Sequence, residues 1–546
     1  MGSGKSNNAN VANYTFFVAP GQPRMPFLSI VDVGPSSSGV ISLIRESLPL
    51  EQKHLAIYVR MRNTEDFAVN PFDTALGCRQ PLPLHKGFLV NLLSLIGTPY
   101  VDKHPPDRVP GMASMIVEKA FNALSDHVSP HIYKPRYDPK NIDCVRLDRV
   151  IDDEVNSGSL HVDDHTSWWE IVDYFFRKGE LNNAAIAQRF AVPTMGEVVN
   201  YLRDEQVVRM YGGPATDDFW LKCSEALQRF QIFALPTRFT LGEARAISLD
   251  LDEVATKGSS LDDRQTAVMY MVARHLTLSR FFIQESDVKE TPDLYKAYYE
   301  RYILGLKQDH KRIFFDEFHR VSQNSSVADQ IVSDIQTVIR ESRKWNIHIA
   351  LYSQEPEDIP PTIANLSTTA FVFGVNGKRS IAETAAERFG MGASAVEAMM
   401  TNLKKPDVRG STIIARYVIN EGTVVQTLRN TLGPIALWAF SSTREDTILR
   451  DRLYLEFGPR VTRSVLAQIY PKGSIKEDVF EPLQNILSLK DPSEGFKMLG
   501  MGVYLPYYQR ALKDFQMSGN KMENLDPNEI IYLYVREAIL GARLAS

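Results

Sequence analysis

Short runs of apolar residues recur along the chain, and most of them end at small or polar residues. This pattern predicts strands at FLSIVDV (27–33), HLAIYVRM (54–61), RAISLDL (245–251), KRIFFDEF (311–318), NIHIALYS (346–353) and TAFVFG (369–374), and a hairpin at STIIARYV (411–418) and GTVVQTLR (422–429). Helical spacing of apolar residues separates most of these runs. Strands that alternate with helices indicate an α/β fold with a mostly parallel sheet.

One long interval interrupts this alternation. From about 85 to 235 the apolar residues follow helical spacing with little strand pattern, and the chain becomes helical again after 445. We therefore expect residues 1–84 to form the first part of a sheet domain and 85–235 an all-α insertion. Residues 236–445 complete the sheet domain, and 446–546 form a helical C-terminal region.

The composition is that of an ordinary soluble globular protein, with 44% hydrophobic and 23% charged residues. No stretch approaches the ~20 apolar residues that span a bilayer. The net charge of −5 argues against a chain built mainly to coat nucleic acid. The three cysteines are far apart and lack zinc-site spacing, so we expect them to be reduced and structural. We expect a cytoplasmic protein that reaches a membrane only through partners.

The chain opens with MGSGKS, in which Gly4, Lys5 and Ser6 match the last three positions of the phosphate-loop pattern G-x-x-x-x-G-K-[ST]. The first glycine of that pattern would precede Met1. Taken alone, the stretch is equally well explained as a Gly-Ser cloning remnant.

The strand KRIFFDEF decides between these interpretations. Its apolar run ends at Asp316 and Glu317, as in a Walker B motif. Such a strand places an Asp that organises Mg²⁺ and a Glu that activates the attacking water at the ligand-binding edge of the sheet. An ordinary buried strand ending in solvated acids is the alternative for this motif alone.

Together the two motifs predict a site for ATP and Mg²⁺. Backbone N–H groups of the loop, including those of Gly2 and Gly4, would cradle phosphates. Lys5 would reach the β- and γ-phosphates, and Ser6 would join Asp316 in holding Mg²⁺.

Two further residues are candidates for the catalytic machinery. Gln354 follows the strand NIHIALYS, where it would sense the γ-phosphate, although a polar residue is common at a strand end. Arg343 lies in the last turns of the preceding predicted helix. It is either an arginine finger that reaches a neighbouring subunit's nucleotide or a cation that complements the helix dipole. LDLDEV (249–254) is interpreted as a strand end with solvated acids.

With these motifs in place, the chain resembles the IcmB/DotO-type ATPases of type IVB (Dot/Icm) secretion and related conjugation systems. The resemblance rests on MGSGKS, IVDVGPSSSGVISLI, VNPFDTALGCRQPLP, AIAQRFAVP, RIFFDEFH and LRDRLYLEFGPRVTRSVLAQIYPKGS. It covers residues 1 to about 500. DVGPSSSG and NPFDTALGCR are more specific than the two nucleotide-binding motifs, which many ATPases share.

The resemblance implies a RecA-like P-loop motor with an all-α insertion, assembled as a homo-hexamer. It implies a place at the cytoplasmic face of the inner membrane of a Gram-negative bacterium. The implied partners are other secretion-system ATPases, inner-membrane channel components and a secreted protein or DNA–protein substrate. By position, Lys5, Ser6, Asp316 and Glu317 take the nucleotide roles, and Gln354 and Arg343 follow.

The chain departs from this family at its beginning, because family members carry a complete loop, the strand before it and a further N-terminal domain. We therefore expect this exact chain to hydrolyse ATP poorly. A DNA-pumping ATPase and a non-catalytic scaffold of the secretion complex are the alternative functions. Residues 184–208 have helix-turn-helix spacing, but their second helix is acidic, so no sequence-specific DNA binding is expected.

Overall fold

The computed structural model describes most of the chain. The described residues are 4–19, 21, 24–99, 102, 104–126, 128–135, 140–239, 241–255, 259–319, 332, 335–336, 338–340, 344–407, 409–489, 491–517 and 525–545. They form two compact units. The first unit combines Met1–Ala19, Pro35–Ala56 and Ser367–Ser546, and the second combines Pro20–Gly34 and Ile57–Leu366.

The second unit is built on a five-stranded sheet with the order β2-β3-β1-β4-β5. The strands are β1 (Phe27–Asp32), β2 (Ala56–Arg60), β3 (Ala246–Asp250), β4 (Lys311–Phe315) and β5 (Ile347–Leu351). β1 pairs in parallel with β3 and β4, and β4 pairs in parallel with β5. All six residues of β1, the middle strand of this order, are buried. The prediction of an α/β fold with a mostly parallel sheet is confirmed.

Eight helices of the second unit lie between residues 83 and 229 in the part of the chain that the structure describes. They are Pro83–Gly97, Val109–Ala123, Ile142–Asn156, Trp168–Arg177, Leu181–Gln188, Met195–Asn200, Glu205–Tyr211 and Gly213–Arg229. Reciprocal capping boxes start two of them, with Ser167 and Glu170 in one and Thr194 and Glu197 in the other. Each box satisfies N–H groups that the first helical turn leaves unpaired. Further helices span Ser260–Leu278, Asp293–Gln308 and Pro361–Ala364.

The first unit contains a separate antiparallel sheet with the order β6-β7-β8. Its strands are β6 (Thr369–Val372), β7 (Ser411–Ile419) and β8 (Gly422–Asn430), and β7 and β8 form the predicted hairpin. The helices are Lys5–Val18, Ser38–Ser47, Arg379–Arg388, Ala393–Asn402, Pro434–Phe440, Arg444–Phe457, Pro459–Ile469, Glu481–Leu487, Pro492–Met498, Leu505–Met517 and Pro527–Ala545. The predicted helical C-terminal region is thereby confirmed. Among the described helices, none combines the length and the apolar character needed to cross a bilayer.

Two histidines of the second unit are stacked in its core. The ring of His275 lies 4.6 Å from that of His85 and 4.0 Å from that of Phe88. The Nε2–H of His85 donates to the carbonyl oxygen of Pro71 at 2.7 Å. Burial lowers the pKa of His85 to about 4 and the pKa of His275 well below its usual range.

We expect this stack to make the protein acid-sensitive. The unfolded chain binds a proton at His85 below about pH 6.5, whereas the folded chain does so only near pH 4, so the free energy of unfolding falls across that window. Between pH 7 and 5 the loss from His85 is about 2 kcal/mol. The carboxyl of Asp73, whose pKa burial raises to about 6, contributes with the opposite sign.

Melting curves of wild type and His85→Asn at both pH values isolate this effect, because Asp73 is present in each protein. The variant should lose less stability on acidification than wild type. The exposed His54 supplies the matched control His54→Asn. An unchanged pH dependence in His85→Asn would contradict the assignment.

Candidate functional site

The carboxyl ends of four neighbouring strands meet at one edge of the five-stranded sheet. Asp32 ends β1 and is level with Asp250, which ends β3. Asp316 directly follows β4, and its N–H donates to the carbonyl oxygen of Val31 at 3.1 Å. Ligands of parallel α/β sheets bind at this kind of edge. The structure therefore places the Asp of the KRIFFDEF motif where the sequence predicted it.

Asp316 is held firmly at this edge. Its carboxylate oxygen Oδ1 accepts the N–H of Glu317 at 2.9 Å, and its carbonyl oxygen accepts the hydroxyl of Tyr270 at 2.9 Å. Asp316 is only 3% exposed and Tyr270 is fully buried. A carboxylate fixed in this way has the oxygen chemistry that Mg²⁺ prefers when it is bound through one or two carboxylates, waters and phosphate. In the part of the chain that the structure describes, no three His, Cys, Asp or Glu residues form a protein-only metal site.

Glu317 adopts an unusual backbone conformation, with a φ of 51°. A non-glycine residue in the left-handed region is uncommon, and such strained residues cluster at functional sites. The Glu317 carboxylate oxygen Oε2 accepts the side-chain Nε2–H of Gln354 at 2.9 Å. The structure thus brings together Asp316, Glu317 and Gln354, three residues that the sequence predicted for one site.

The residues predicted for a phosphate loop belong to the first unit. Gly4 has a φ of 85° and caps helix Lys5–Val18, and its carbonyl oxygen accepts the N–H of Asn8 at 3.0 Å. Lys5 and Ser6 form the first turn of that helix. A helix N-terminus presents unpaired N–H groups that suit an anion. The predicted residues Gly2 and Arg343 lie outside the described residues.

Two features favour glycine at position 4, namely its left-handed backbone conformation and a neighbouring side chain that leaves no room for a Cβ atom. A Cβ at this position would lie 2.7 Å from the Cβ and Oγ atoms of Ser411 on β7. We expect Gly4→Ala to destabilise the first unit by about 1–3 kcal/mol, since the left-handed backbone alone disfavours an L-residue by about 1–2 kcal/mol.

Two variants separate the backbone strain from the contact. Gly390→Ala changes a glycine of the same unit that also has a positive φ, 62°, follows helix Arg379–Arg388, and has open space around it. Gly4→Ala combined with Ser411→Gly removes the contact but keeps the strain. In chemical denaturation the double variant should lose, relative to Ser411→Gly alone, about as much stability as Gly390→Ala loses relative to wild type. Equal stabilities of Gly4→Ala and wild type would refute this account of Gly4.

A buried carboxylate within the LDLDEV stretch supports the same sheet edge. Asp250 is fully buried, and its Oδ1 accepts the N–H groups of Gly34 at 2.8 Å and Asp252 at 2.9 Å. Its Oδ2 accepts the hydroxyl of Tyr58 at 2.6 Å and the Nε–H of Arg60 at 3.3 Å. Burial and this carboxylate raise the pKa of Tyr58 well above its usual range.

The interpretation of LDLDEV as a strand end with solvated acids is therefore wrong for Asp250, although Asp252 and Glu253 are exposed. The alternating pattern of RAISLDL places Asp250 on a buried strand level with Asp32. That register depends on the pairing of strands more than 200 residues apart, which the local pattern did not show.

Comparisons with known proteins give structural neighbours only. Neither the protein-family models nor the curated proteins include a match to this chain. The chain is similar to the structure of VirB4 of Thermoanaerobacter pseudethanolicus, with 13% identity, a TM-score of 0.42 and coverage of 80% of this chain and 88% of that one. It is also similar to the plasmid coupling protein TrwB in complex with the GTP analogue GDPNP, with 10% identity, a TM-score of 0.31 and coverage of 74% and 85%. A second TrwB structure, with ADP and Mg²⁺, gives 9% identity, a TM-score of 0.31 and coverage of 74% and 86%.

Proposed function

We propose that the chain is an ATP-hydrolysing motor of a type IV secretion or conjugation apparatus, of the IVB (Dot/Icm-like) kind. The observation that carries the ATPase proposal is the arrangement of Asp316, Glu317 and Gln354 at the carboxyl edge of a buried parallel strand. A strained glutamate beside a fixed aspartate is suited to activating water next to a metal-bound phosphate. The assignment to a secretion system rests on the sequence stretches that carry the resemblance.

In this proposal each residue has a defined task. The Glu317 carboxylate takes a proton from the water that attacks the γ-phosphate, and Asp316 orients the water shell of the metal. Lys5 contacts the β- and γ-phosphates, and Ser6 offers its hydroxyl to the metal. Mg²⁺, when bound with ATP, neutralises charge that develops on the phosphates. Gln354 responds to the γ-phosphate, and the loop that follows β5, which carries Gln354, communicates the loss of that phosphate.

The remaining assignments complete the proposal. Gly2 contributes to the phosphate loop, and Arg343 acts as an arginine finger toward a neighbouring subunit. The motor works as a homo-hexamer at the cytoplasmic face of the inner membrane, beside other secretion ATPases and channel components. It energises channel assembly or the passage of a protein or DNA–protein substrate.

Phosphate release in the presence of ATP and Mg²⁺ tests the ATPase proposal. The measurement uses the chain as printed and a loop-completed chain, which carries the whole G-x-x-x-x-G-K-[ST] pattern. In whichever chain turns over, Lys5→Ala should reduce turnover by at least about 100-fold, because it removes a preorganised cation from the phosphates. Lys472→Ala, which changes an exposed lysine of the same unit, is the matched control. Absence of turnover in both chains, whether or not they bind ATP, would refute the proposal and favour the scaffold alternative.

A further inference from the structure

A histidine that follows the catalytic glutamate candidate approaches the same carboxylate. The His319 Nδ1 atom lies 3.6 Å from Glu317 Oε2, the oxygen that also accepts the Gln354 amide. The His319 and Glu317 side chains are 19% and 17% exposed. Glu317 Oε2 therefore accepts a hydrogen bond from Gln354, and the His319 Nδ1 atom lies just beyond hydrogen-bond distance of the same oxygen.

The His319 Nδ1 atom is buried and makes no hydrogen bond within the part of the chain that the structure describes. A buried nitrogen without a partner is unfavourable, so such atoms call for an explanation. An ionised carboxylate accepts hydrogen bonds only, and a neutral imidazole can carry its proton on Nδ1. A small rotation of the Glu317 side chain would bring its Oε2 within hydrogen-bond distance of the His319 Nδ1 atom.

The backbone fixes His319 to the loop that carries Gln354. The N–H of Phe318 donates to the carbonyl oxygen of Tyr352 at 2.9 Å. The N–H of His319 donates to the Ser353 hydroxyl oxygen at 3.1 Å, and that hydroxyl donates to Oδ2 of Asp358 at 2.6 Å. The segment that carries His319 is therefore linked to the loop that carries Gln354, and neither side chain can move far without displacing the other segment.

We propose that His319 is a positioning residue for Glu317, and this inference rests on the proposed ATPase function. During turnover the His319 Nδ1–H donates to Glu317 Oε2 and holds the carboxylate toward the attacking water while the Gln354 amide turns to the γ-phosphate. Glu317 then exchanges one donor for the other and stays oriented. His319 itself touches neither nucleotide nor water.

This role predicts an effect on kcat without an effect on KM for ATP. In the loop-completed chain, His319→Ala should lower kcat by about 10- to 100-fold, the range expected for a misplaced reacting group, with KM unchanged within about twofold. His319→Asn keeps an N–H donor near the position of Nδ1 and should recover most of the loss. His54→Ala changes an exposed histidine and should behave as wild type. Wild-type kcat in His319→Ala, a change confined to KM, or no recovery in a folded His319→Asn would each overturn the inference.

A second measurement does not depend on turnover. The measurement is an NMR spectrum of the printed chain, free of nucleotide and labelled with ¹⁵N at histidine. The Nδ1 resonance of His319 is the one that is lost in His319→Asn. It should shift in Glu317→Gln and stay unchanged in Glu253→Gln, which alters an exposed carboxylate after β3. An unchanged resonance in Glu317→Gln would overturn the inference whatever the activity. A shift without turnover in any chain would show the contact but refute the ATPase proposal and, with it, the catalytic role of the contact.

Discussion

Glu317→Gln should reduce Mg²⁺-dependent phosphate release by the loop-completed chain by about 10²–10⁴-fold, the contribution expected of a positioned general base. The replacement has nearly the same shape, and its amide oxygen can still accept the Gln354 Nε2–H that Glu317 Oε2 accepts at 2.9 Å. It removes only the negative charge and the ability to take a proton from water. The local backbone, including the strained φ of 51°, should be retained.

Nucleotide binding distinguishes a catalytic defect from a folding defect. If Glu317 acts on water and not on the bound nucleotide, ATP with Mg²⁺ should raise the melting temperature of Glu317→Gln at least as much as that of wild type, because a ligand stabilises the state that binds it. Glu253→Gln is the control. Turnover of Glu317→Gln within tenfold of wild type would contradict the assignment of Glu317 as the base.

Asp250→Ala is expected to produce the largest structural effect. The substitution removes a fully buried carboxylate, and the part-buried N–H groups of Gly34 and Asp252 and hydroxyl of Tyr58 lose their acceptor. A buried donor without a partner costs about 1–3 kcal/mol, and such losses overlap when the donors share one acceptor. We expect a local destabilisation of about 3 kcal/mol at the carboxyl edge of β1 and β3. The Arg60 contribution is small, because that side chain is 41% exposed.

Hydrogen exchange measured by mass spectrometry suits this test, because it follows individual strands separately from the rest of the chain. Peptides that cover β1 and β3 should exchange faster in Asp250→Ala, while peptides from the first unit should be unaffected. Asp252→Ala removes an exposed carboxylate two residues away. It should change the free energy of local opening, as measured by exchange, by no more than about 0.5 kcal/mol. Equal exchange in the two variants would show that Asp250 does not support this edge.

The sequence predicted the individual strands well, because each consists of a short apolar run with a clear end. The run KRIFFDEF illustrates this, since β4 ends at Phe315 and leaves Asp316 at the sheet edge as expected. The sequence did not distinguish the two sheets. TAFVFG looks like the other strand runs, yet β6 pairs antiparallel with β7 in the first unit. Pairing partners depend on contacts between distant segments, which local periodicity does not encode.

The candidate site was likewise predicted only in part. The positions of Asp316, Glu317 and Gln354 were predictable because each follows an apolar strand, and ligands of parallel α/β sheets bind at the carboxyl ends of the strands. Asp250 and His319 were missed. The role of Asp250 depends on the register of β3 against β1, and the role of His319 depends on the contact between the segments that follow β4 and β5. Side-chain chemistry can be predicted locally, but the neighbours that orient a side chain require the fold.

The discontinuous first unit has a consequence for biosynthesis. Met1–Ala19 and Pro35–Ala56 leave the ribosome before Ser367–Ser546, which completes their unit. At about 5–20 residues per second, synthesis of residues 57–366 takes on the order of 15–60 s. During that interval helix Ser38–Ser47, whose Val40, Ile41 and Ile44 are buried in the finished protein, has no completed core to enter. The nascent chain therefore exposes an early apolar segment for a long time, and general chaperones that bind such segments should influence the yield of folded protein more than the final stability does.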